Sequence, residues 1–392
     1  MNFKIIFLSI IIFFSCDFLT LHFMKRFISF DLVNSIISIF FVFYAFFNIK
    51  SWKYKKFPNT LYFIITFLLA FLVSSITAYL DWGQNFSDTL IASRSVFWIF
   101  FGLFLIKYKT TKLELYKAFE YFSWVYVLLS IFINILPEYK HLFIYYENSK
   151  GQLKEDGFLS GIQYTLIPLY FIYSSFLKNE KITLRNYFLM IFIIISIFLT
   201  YNRATTYTMI ILISVSYLYN KKINLAAKTS IVLITSYAFI SMIYPFISAS
   251  IIETQNQFSD TDYVRIRGII YFFNDFSKSI FGFCFGNGFS STKFAYGEFV
   301  NALKVNDGIY TSDLGIYGTW VLYGFLSLLA IFKPAYTILR SSSYFMKYKL
   351  LILHTFIGFT MFYFFSKFTF VFYISVLYCF DYDCLMSKQK NK

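Results

Sequence analysis

The sequence predicts an all-α polytopic integral membrane protein, and three observations carry that prediction. Of its 392 residues, 58% are apolar and 14% charged, with a mean hydropathy of +0.61. Soluble domains carry about 25% charged residues, so a water-facing surface built from so few charges would be mostly apolar. The apolar residues fall in runs that approach the length needed to cross a bilayer, about 20 residues. The basic residues cluster between those runs, so the formal charge of +15 reads as topology rather than as a nucleic-acid-binding face. Soluble enzymes, nucleic-acid-binding modules and disordered scaffolds are excluded on these grounds. The aromatic content of 24% exceeds what an interfacial belt needs and fits an AT-rich coding bias, so it carries no functional weight.

About twelve runs fall near the spanning range of roughly 17 to 25 residues. They are 4–22, 27–49, 60–80, 90–106, 118–136, 158–177, 184–200, 204–220, 227–249, 313–333, 349–366 and 367–383. The last pair comes from one apolar stretch, Leu350 to Phe380, that is long for one span, short for two and broken only around Ser366-Lys367. Orientation follows from the lysine and arginine bias of the short loops. Of the 35 basic residues, 22 fall on one set of alternate loops, among them Lys53, Lys107, Lys112, Lys178, Arg185, Lys333 and Lys347. Only Glu114, Glu120, Glu180, Asp381 and Asp383 share that side. Both termini are therefore expected in the cytoplasm, with the chain forming a single transmembrane domain over 1–392. A competing reading of the N-terminus takes Lys4, the run Ile5 to Phe14 and Ser15-Cys16 as a lipoprotein signal; aromatic residues stand where such sites prefer small or aliphatic ones.

All the inner loops are short, whereas outer segments at about 137–157 and 250–312 are long enough to hold a site. In the longer one, Ser259-Asp260-Thr261-Asp262 offers helix N-caps. Ile266, Ile269, Ile270, Phe273, Phe276 and Ile280 then recur at helical spacing, which predicts an amphipathic helix along the outer membrane interface. Arg265 and Arg267 fall in its first turn, where two guanidiniums and the helix dipole would favour one anion; both could equally reach lipid headgroups. The segment Phe281 to Gly288 lacks the spacing of a phosphate-binding loop and reads as a tight turn re-entering the interface.

Arg203 is the sharpest single residue. It stands in Thr200-Tyr201-Asn202-Arg203-Ala204-Thr205, which joins two apolar runs with almost no loop, so a guanidinium is held at the outer membrane boundary. A charge there is costly enough to be a functional candidate, with snorkelling as the structural alternative. Arg94, in the first turns of the fourth predicted span, has the same two readings. Arginine suits a diphosphate because its planar fork donates paired hydrogen bonds at any working pH. Asp262, Asp307 and Asp313 could serve as general bases or could cap helices and pair with the arginines. His22, His141 and His354 are scattered without ligand spacing, and Cys16, Cys284, Cys379 and Cys384 form no CxxC pair, so neither a catalytic metal nor another cofactor is expected. His354 is expected to be a polar residue inside the bundle.

Several of these features together resemble the O-antigen polymerase (Wzy) family. They are the Asn202-Arg203-Ala204-Thr205 turn, the long outer loop with Arg265 and Arg267 near its first helix, Ile280 to Phe289, and Ser312 to Phe332. In the last, Asp313, Gly315 and Ile316 open a span and Gly324 follows. The resemblance implies a large membrane glycosyltransferase architecture of the GT-C type. It also implies a reaction at the periplasmic face of the bacterial inner membrane: a growing glycan on undecaprenyl diphosphate is transferred to the terminal sugar of a new lipid-linked repeat unit. The implied partners are that lipid-linked oligosaccharide, membrane lipid and a chain-length regulator. On this reading Arg203, Arg265, Arg267 and, more weakly, Arg94 hold the diphosphate, and Asp262 or Asp313 is the base. The O-antigen ligase shares the architecture, but that family places a histidine late in the outer loop and 250–312 contains none. A lipid-linked oligosaccharide flippase or other transporter is the alternative from a different class; it should show short loops on both faces and polar groups near mid-membrane.

Overall fold

The computed structural model describes residues 3–16, 30–47, 56–136, 156–199, 203–218, 264–357, 364 and 366–390. Every regular element among them is helical. The first half comprises α1 (Phe3–Ser15), α2 (Phe30–Phe46), α3 (Pro58–Trp82), α4 (Phe86–Ala92), a 3-10 segment Arg94–Phe100 that runs into α5 (Phe101–Lys107), and α6 (Lys112–Ile135). Then come α7 (Asp156–Leu177), α8 (Leu184–Leu199), α9 (Arg203–Leu218), α10 (Val264–Asn274), α11 (Ile280–Phe285) and α12 (Ala295–Asn306). The chain closes with a 3-10 turn Thr311–Leu314, α13 (Ile316–Arg340), α14 (Met346–Ile357) and α15 (Lys367–Lys390). The predicted span at 227–249, most of the outer segment 137–157 and Asp262 lie outside the described residues.

Among the described residues, α3, α13 and Lys367–Gln389 are long and apolar enough to cross a membrane. The fourth predicted span is broken: α4 and the following Arg94–Lys107 stretch pass the same test only as a pair, bent by 71°. Shorter apolar helices are Phe3–Ser15, Ser35–Ala45, Ile162–Leu177, Leu184–Leu199 and Thr205–Tyr217. The protein is thus a membrane protein, all-helical among the described residues, and the stretch Leu350 to Phe380 is divided between α14, which ends at Ile357, and α15, which opens at Lys367.

The core is built on α3, which packs along α13 and against α15. Phe67 meets Tyr323 at 5.1 Å, and Phe63 meets Tyr373 edge-on at 5.0 Å. Lipid tails are as apolar as these rings, so close packing and hydrogen bonds hold such helices together rather than the hydrophobic effect. His354 is buried, its Nδ1 2.8 Å from the Tyr170 hydroxyl, as a polar group inside the bundle. Around α3, α13 and α15 the described parts of the loops that the charge bias assigns to one side come together at one end. Lys4 Nζ donates to Tyr108 O, Lys333 lies over Tyr62, and Lys178 donates to Tyr344 O. Asp381, buried there, caps α3 from across the bundle. It accepts from Thr60 N at 2.9 Å and Asn59 Nδ2 at 2.7 Å, which serves a helix start whose own cap residue, Phe57, has no acceptor.

Asp383 at the same end accepts from Lys112 at 2.6 Å and from Tyr348 Oη at 2.7 Å, and pairs with Lys347 at 3.0 Å. It staples α6, α14 and α15 together. Removing one partner of a buried ion pair leaves uncompensated charge, which costs about 3–5 kcal/mol. Asp383→Ala is therefore expected to lower the thermal unfolding midpoint of the detergent-solubilised protein markedly, while Glu180→Ala, whose Lys178 contact is an exposed 4.0 Å pair, should leave it nearly unchanged. Equal midpoints for the two variants would remove the staple from the account.

At the opposite end, residues 264–314 fold into a helical cap with its own small core. Phe272, Phe276, Tyr296, Val300, Leu303, Ile309 and Leu314 are buried together, with Val321 of α13 joining them. Within the cap the predicted amphipathic helix exists, but its faces divide differently. Gly268 and Phe272 turn into the cap core, as does Phe276 beyond the helix end, while Ile269, Ile270 and Phe273 stay exposed with Ile280. The core-facing stripe follows i, i+4 spacing from a glycine, which an apolar-residue pattern does not register.

Candidate functional site

The cap is joined to the bundle by polar contacts that begin where α3 ends. Gly83, with φ of +67°, terminates α3 in the left-handed conformation, its N–H bonding back to Tyr79 O and that of Gln84 to Ala78 O. The turn points Gln84 at the cap, where its side chain donates to Phe289 O at 2.7 Å and accepts from Ser291 N at 2.7 Å. Asp81 Oδ2 accepts from Ser279 Oγ at 2.6 Å, and Lys278 sits 3.8 Å above the Trp82 ring.

The deepest junction involves Phe285-Gly286-Asn287-Gly288, the stretch the sequence marks as a tight turn. α11 stops at Gly286 (φ +87°), and the chain then inserts beside α13 where that helix breaks at Gly324 (φ +70°, ψ −171°). A transmembrane helix interrupted this way must find new partners for its freed carbonyls. Asn287 N donates to Val321 O at 3.0 Å and Gly288 N to Leu322 O at 2.9 Å. Asn287 Nδ2 adds a second bond to Val321 O at 3.2 Å and one to Ser277 Oγ at 3.0 Å. Gly286 and Gly324 lie back to back: a Cβ on Gly324 would overlap the Phe285 backbone, and one on Gly286 the Leu322 backbone. On the far side, a Cβ at Gly288 would stand 2.7 Å from Ser74 O of α3. The inserted segment is therefore clamped between the broken span and its neighbour.

Between cap and broken span lies a cleft of about 120 Å³. The rings of Phe276, Phe289, Tyr296 and Tyr310, the hydroxyls of Ser290, Thr311 and Ser312, and Lys304 line it. Lys304 is half-buried in the last turn of α12, and burial pushes its ammonium below the usual lysine range. No ion pair to Lys304 occurs among the described residues.

The site residues expected from sequence are distributed as follows. Arg265 and Arg267 lie in the first turn of α10, which packs on the 3-10 turn containing Asp313, so these three share the cap with Lys304. The Arg267 guanidinium is exposed and donates to Asp307 O at 2.7 Å, tying α10 to the end of α12. The side chains of Arg265 and Asp313 lie outside the described residues, as does that of Arg203. Arg203 opens α9 at the end of the α8–α9 hairpin remote from Lys178 and Arg185. Arg94 is half-exposed at the bend between α4 and the 3-10 segment. Neither Arg203 nor Arg94 is tied to the cap by a described contact; the Arg94 segment packs on α2 and α15.

Sequence reasoning passed over Gln84, Asn287, Lys304 and Lys367. Lys367 is 9% exposed and opens α15. Because Phe370 contacts Phe67 and Tyr373 contacts Phe63, it sits level with the middle of α3. An ionisable residue at that depth is a functional candidate by default. Its sequence signal was the Ser366-Lys367 break, which reads as a loop when the partner helices are unknown. Compared with protein-family models, curated proteins and solved structures, the chain matches none.

Proposed function

We propose that this protein polymerises lipid-diphosphate-linked oligosaccharide repeat units into a surface polysaccharide at the periplasmic face of a bacterial inner membrane, as the O-antigen polymerase resemblance implies. On this reading the basic end of the bundle is cytoplasmic, about twelve spans cross the bilayer, and both termini lie inside. One observation carries the reading. The only long segment among the described residues that folds outside the bundle is a cap on the end opposite the lysine-rich one, and it closes over a ring-lined and hydroxyl-lined cleft beside a broken span. Discontinuous helices at such depth present helix termini and freed backbone to polar substrates in membrane transport proteins, and the same device suits a lipid-linked diphosphate.

The reaction asks little of a cofactor. The acceptor sugar's hydroxyl attacks the anomeric carbon of the donor glycan; the new C–O bond forms as the bond to the diphosphate oxygen breaks, and undecaprenyl diphosphate departs. Charge grows on the leaving oxygen, and guanidiniums held in a water-poor setting stabilise it. Arg203, Arg265 and Arg267, with Arg94 as a weaker fourth, fill that role, and Asp262 or Asp313 accepts the hydroxyl proton. The test is the surface-glycan ladder of a strain lacking the gene, in which a lipid core bearing one repeat unit is expected.

A further inference from the structure

We infer that the α10–α11 corner of the cap is embedded in the bilayer leaflet at that end of the bundle, covered by lipid acyl chains, while the α12 side of the cap stands in water. The inference requires that the chain cross a membrane and is independent of the reaction proposed above.

Depth is set by the two spans against which the inserted segment packs. α3 and α13 are each 25 residues long. At about 1.5 Å per residue each measures about 37 Å and, centred on a hydrocarbon core of about 30 Å, projects about 4 Å beyond it at either end. Gly288 packs on Ser74 and Ala78 of α3, and Phe285 on Gly324 of α13. Ser74 and Gly324 each lie about 12 Å from the cap end of their helix, which places Phe285 to Gly288 about 8 Å inside the hydrocarbon. α11 leads down to this point along α3. Ser279, just ahead of it, donates to Asp81 beside the end of α3, and the next turns of chain reach Ala78 and Ser74.

At that depth an exposed side chain meets acyl chains. Ile280 is 84% exposed, and Phe281 and Cys284 of the same short helix are exposed as well. Ile269, Ile270 and Phe273 extend the apolar surface onto α10. Phe273 and Phe283 pack around Trp320 at 5.8 and 5.0 Å. Trp320 lies about 6 Å inside the start of α13, the level at which amphipathic rings gather at a membrane interface. Beyond Gly324 the exposed residues of the span are Phe325, Leu329 and Phe332. The corner therefore continues a lipid-facing surface rather than forming a separate patch, and acyl chains cover it as they cover the span. The exposed side of α12 carries Glu298, Asn301 and Asn306 instead, which need water.

Nitroxide labels on the full-length protein in phosphatidylethanolamine–phosphatidylglycerol liposomes test this. Oxygen, which concentrates in hydrocarbon, and a water-soluble nickel chelate, which stays out of it, report each label's surroundings. Cys384→Ser removes the half-buried cysteine at the other end of the bundle and leaves Cys284 as the exposed one among the described residues. Adding Cys284→Ser gives the background for Ile280→Cys and Glu298→Cys. All three labelled positions are exposed, so no packed side chain is replaced. Oxygen should relax the labels at 280 and 284 several-fold more effectively than the chelate does, with the order reversed at 298 and the label at 284 deeper than that at 280. A chelate that reaches Cys284 as readily as position 298 would put the corner in water. A label at 284 reached by neither reagent would mean that protein covers it, another copy or more of this chain. Either result, or a label at 280 deeper than that at 284, overturns the inference. The glycan ladder reads the polymerase proposal separately: an unchanged ladder on deletion would refute polymerisation and leave the embedded corner standing.

Discussion

Gly324→Ala is expected to abolish function and release the cap, whereas Gly83→Ala should lower stability modestly and leave both in place. The two glycines share a positive φ, +70° and +67°, but Gly83 (ψ 14°) lies in the left-handed helical region and Gly324 (ψ −171°) in one essentially restricted to glycine. Forcing an L-residue into either region costs about 1–3 kcal/mol. They differ further in what a methyl group would meet. At Gly83 nothing lies within 4 Å, while at Gly324 the new carbon would fall on the backbone of Phe285. Backbone cannot move aside as a flexible side chain can, so the inserted segment has to leave the break in α13. The bonds from Asn287 N and Gly288 N to Val321 O and Leu322 O go with it, exposing unsatisfied carbonyls within the bundle. Limited proteolysis of membranes from the two variants should show rapid cleavage between α10 and α12 for Gly324→Ala alone, with the glycan ladder lost in parallel. If the two variants resist protease equally, the insertion does not hold the cap, and the architecture argued for the site is wrong.

Arg203→Lys should cost on the order of 10²-fold or more in polymerisation, even though it preserves the charge. A guanidinium offers a diphosphate two parallel N–H bonds in a fixed plane; an ammonium on a flexible stem offers a point charge. Arg203 stands at the first position of α9, where the helix terminus adds a favourable field for an anion. The comparison is made on ladders at matched expression. Polymer of wild-type length in the lysine variant would reduce Arg203 to a headgroup anchor, since snorkelling is served equally by either side chain.

The sequence made the membrane class and the two ends of the bundle legible, because both depend on composition and on charges spaced along the chain. Lys112, Lys333, Lys347 and Arg185, assigned to one side by bias alone, do gather at one end with Asp381 and Asp383. What escaped depends on partners distant in the chain. Gly324 was visible as a glycine in a span, but its necessity comes from Gly286, whose backbone occupies the space a side chain would need. Asn287 and Gln84 look like ordinary loop residues until the carbonyls of Val321 and Phe289 are placed beside them. The division of α10 between core and exterior depended on Gly268 and Phe272, and a periodicity of large apolar residues points to the other face. Of the arginines, Arg267 is engaged with Asp307 O, so its part in binding a diphosphate would require that bond to be shared or exchanged.

The central claim is tested most directly by the ladder of surface glycan from a deletion strain, run beside the same strain complemented with the wild-type gene. The account predicts that deletion leaves the lipid core carrying one repeat unit and that complementation restores the full ladder. An unchanged ladder would contradict polymerisation outright. Loss of even the single unit would contradict it as well, and would point to ligation or to transport of the lipid-linked unit across the membrane.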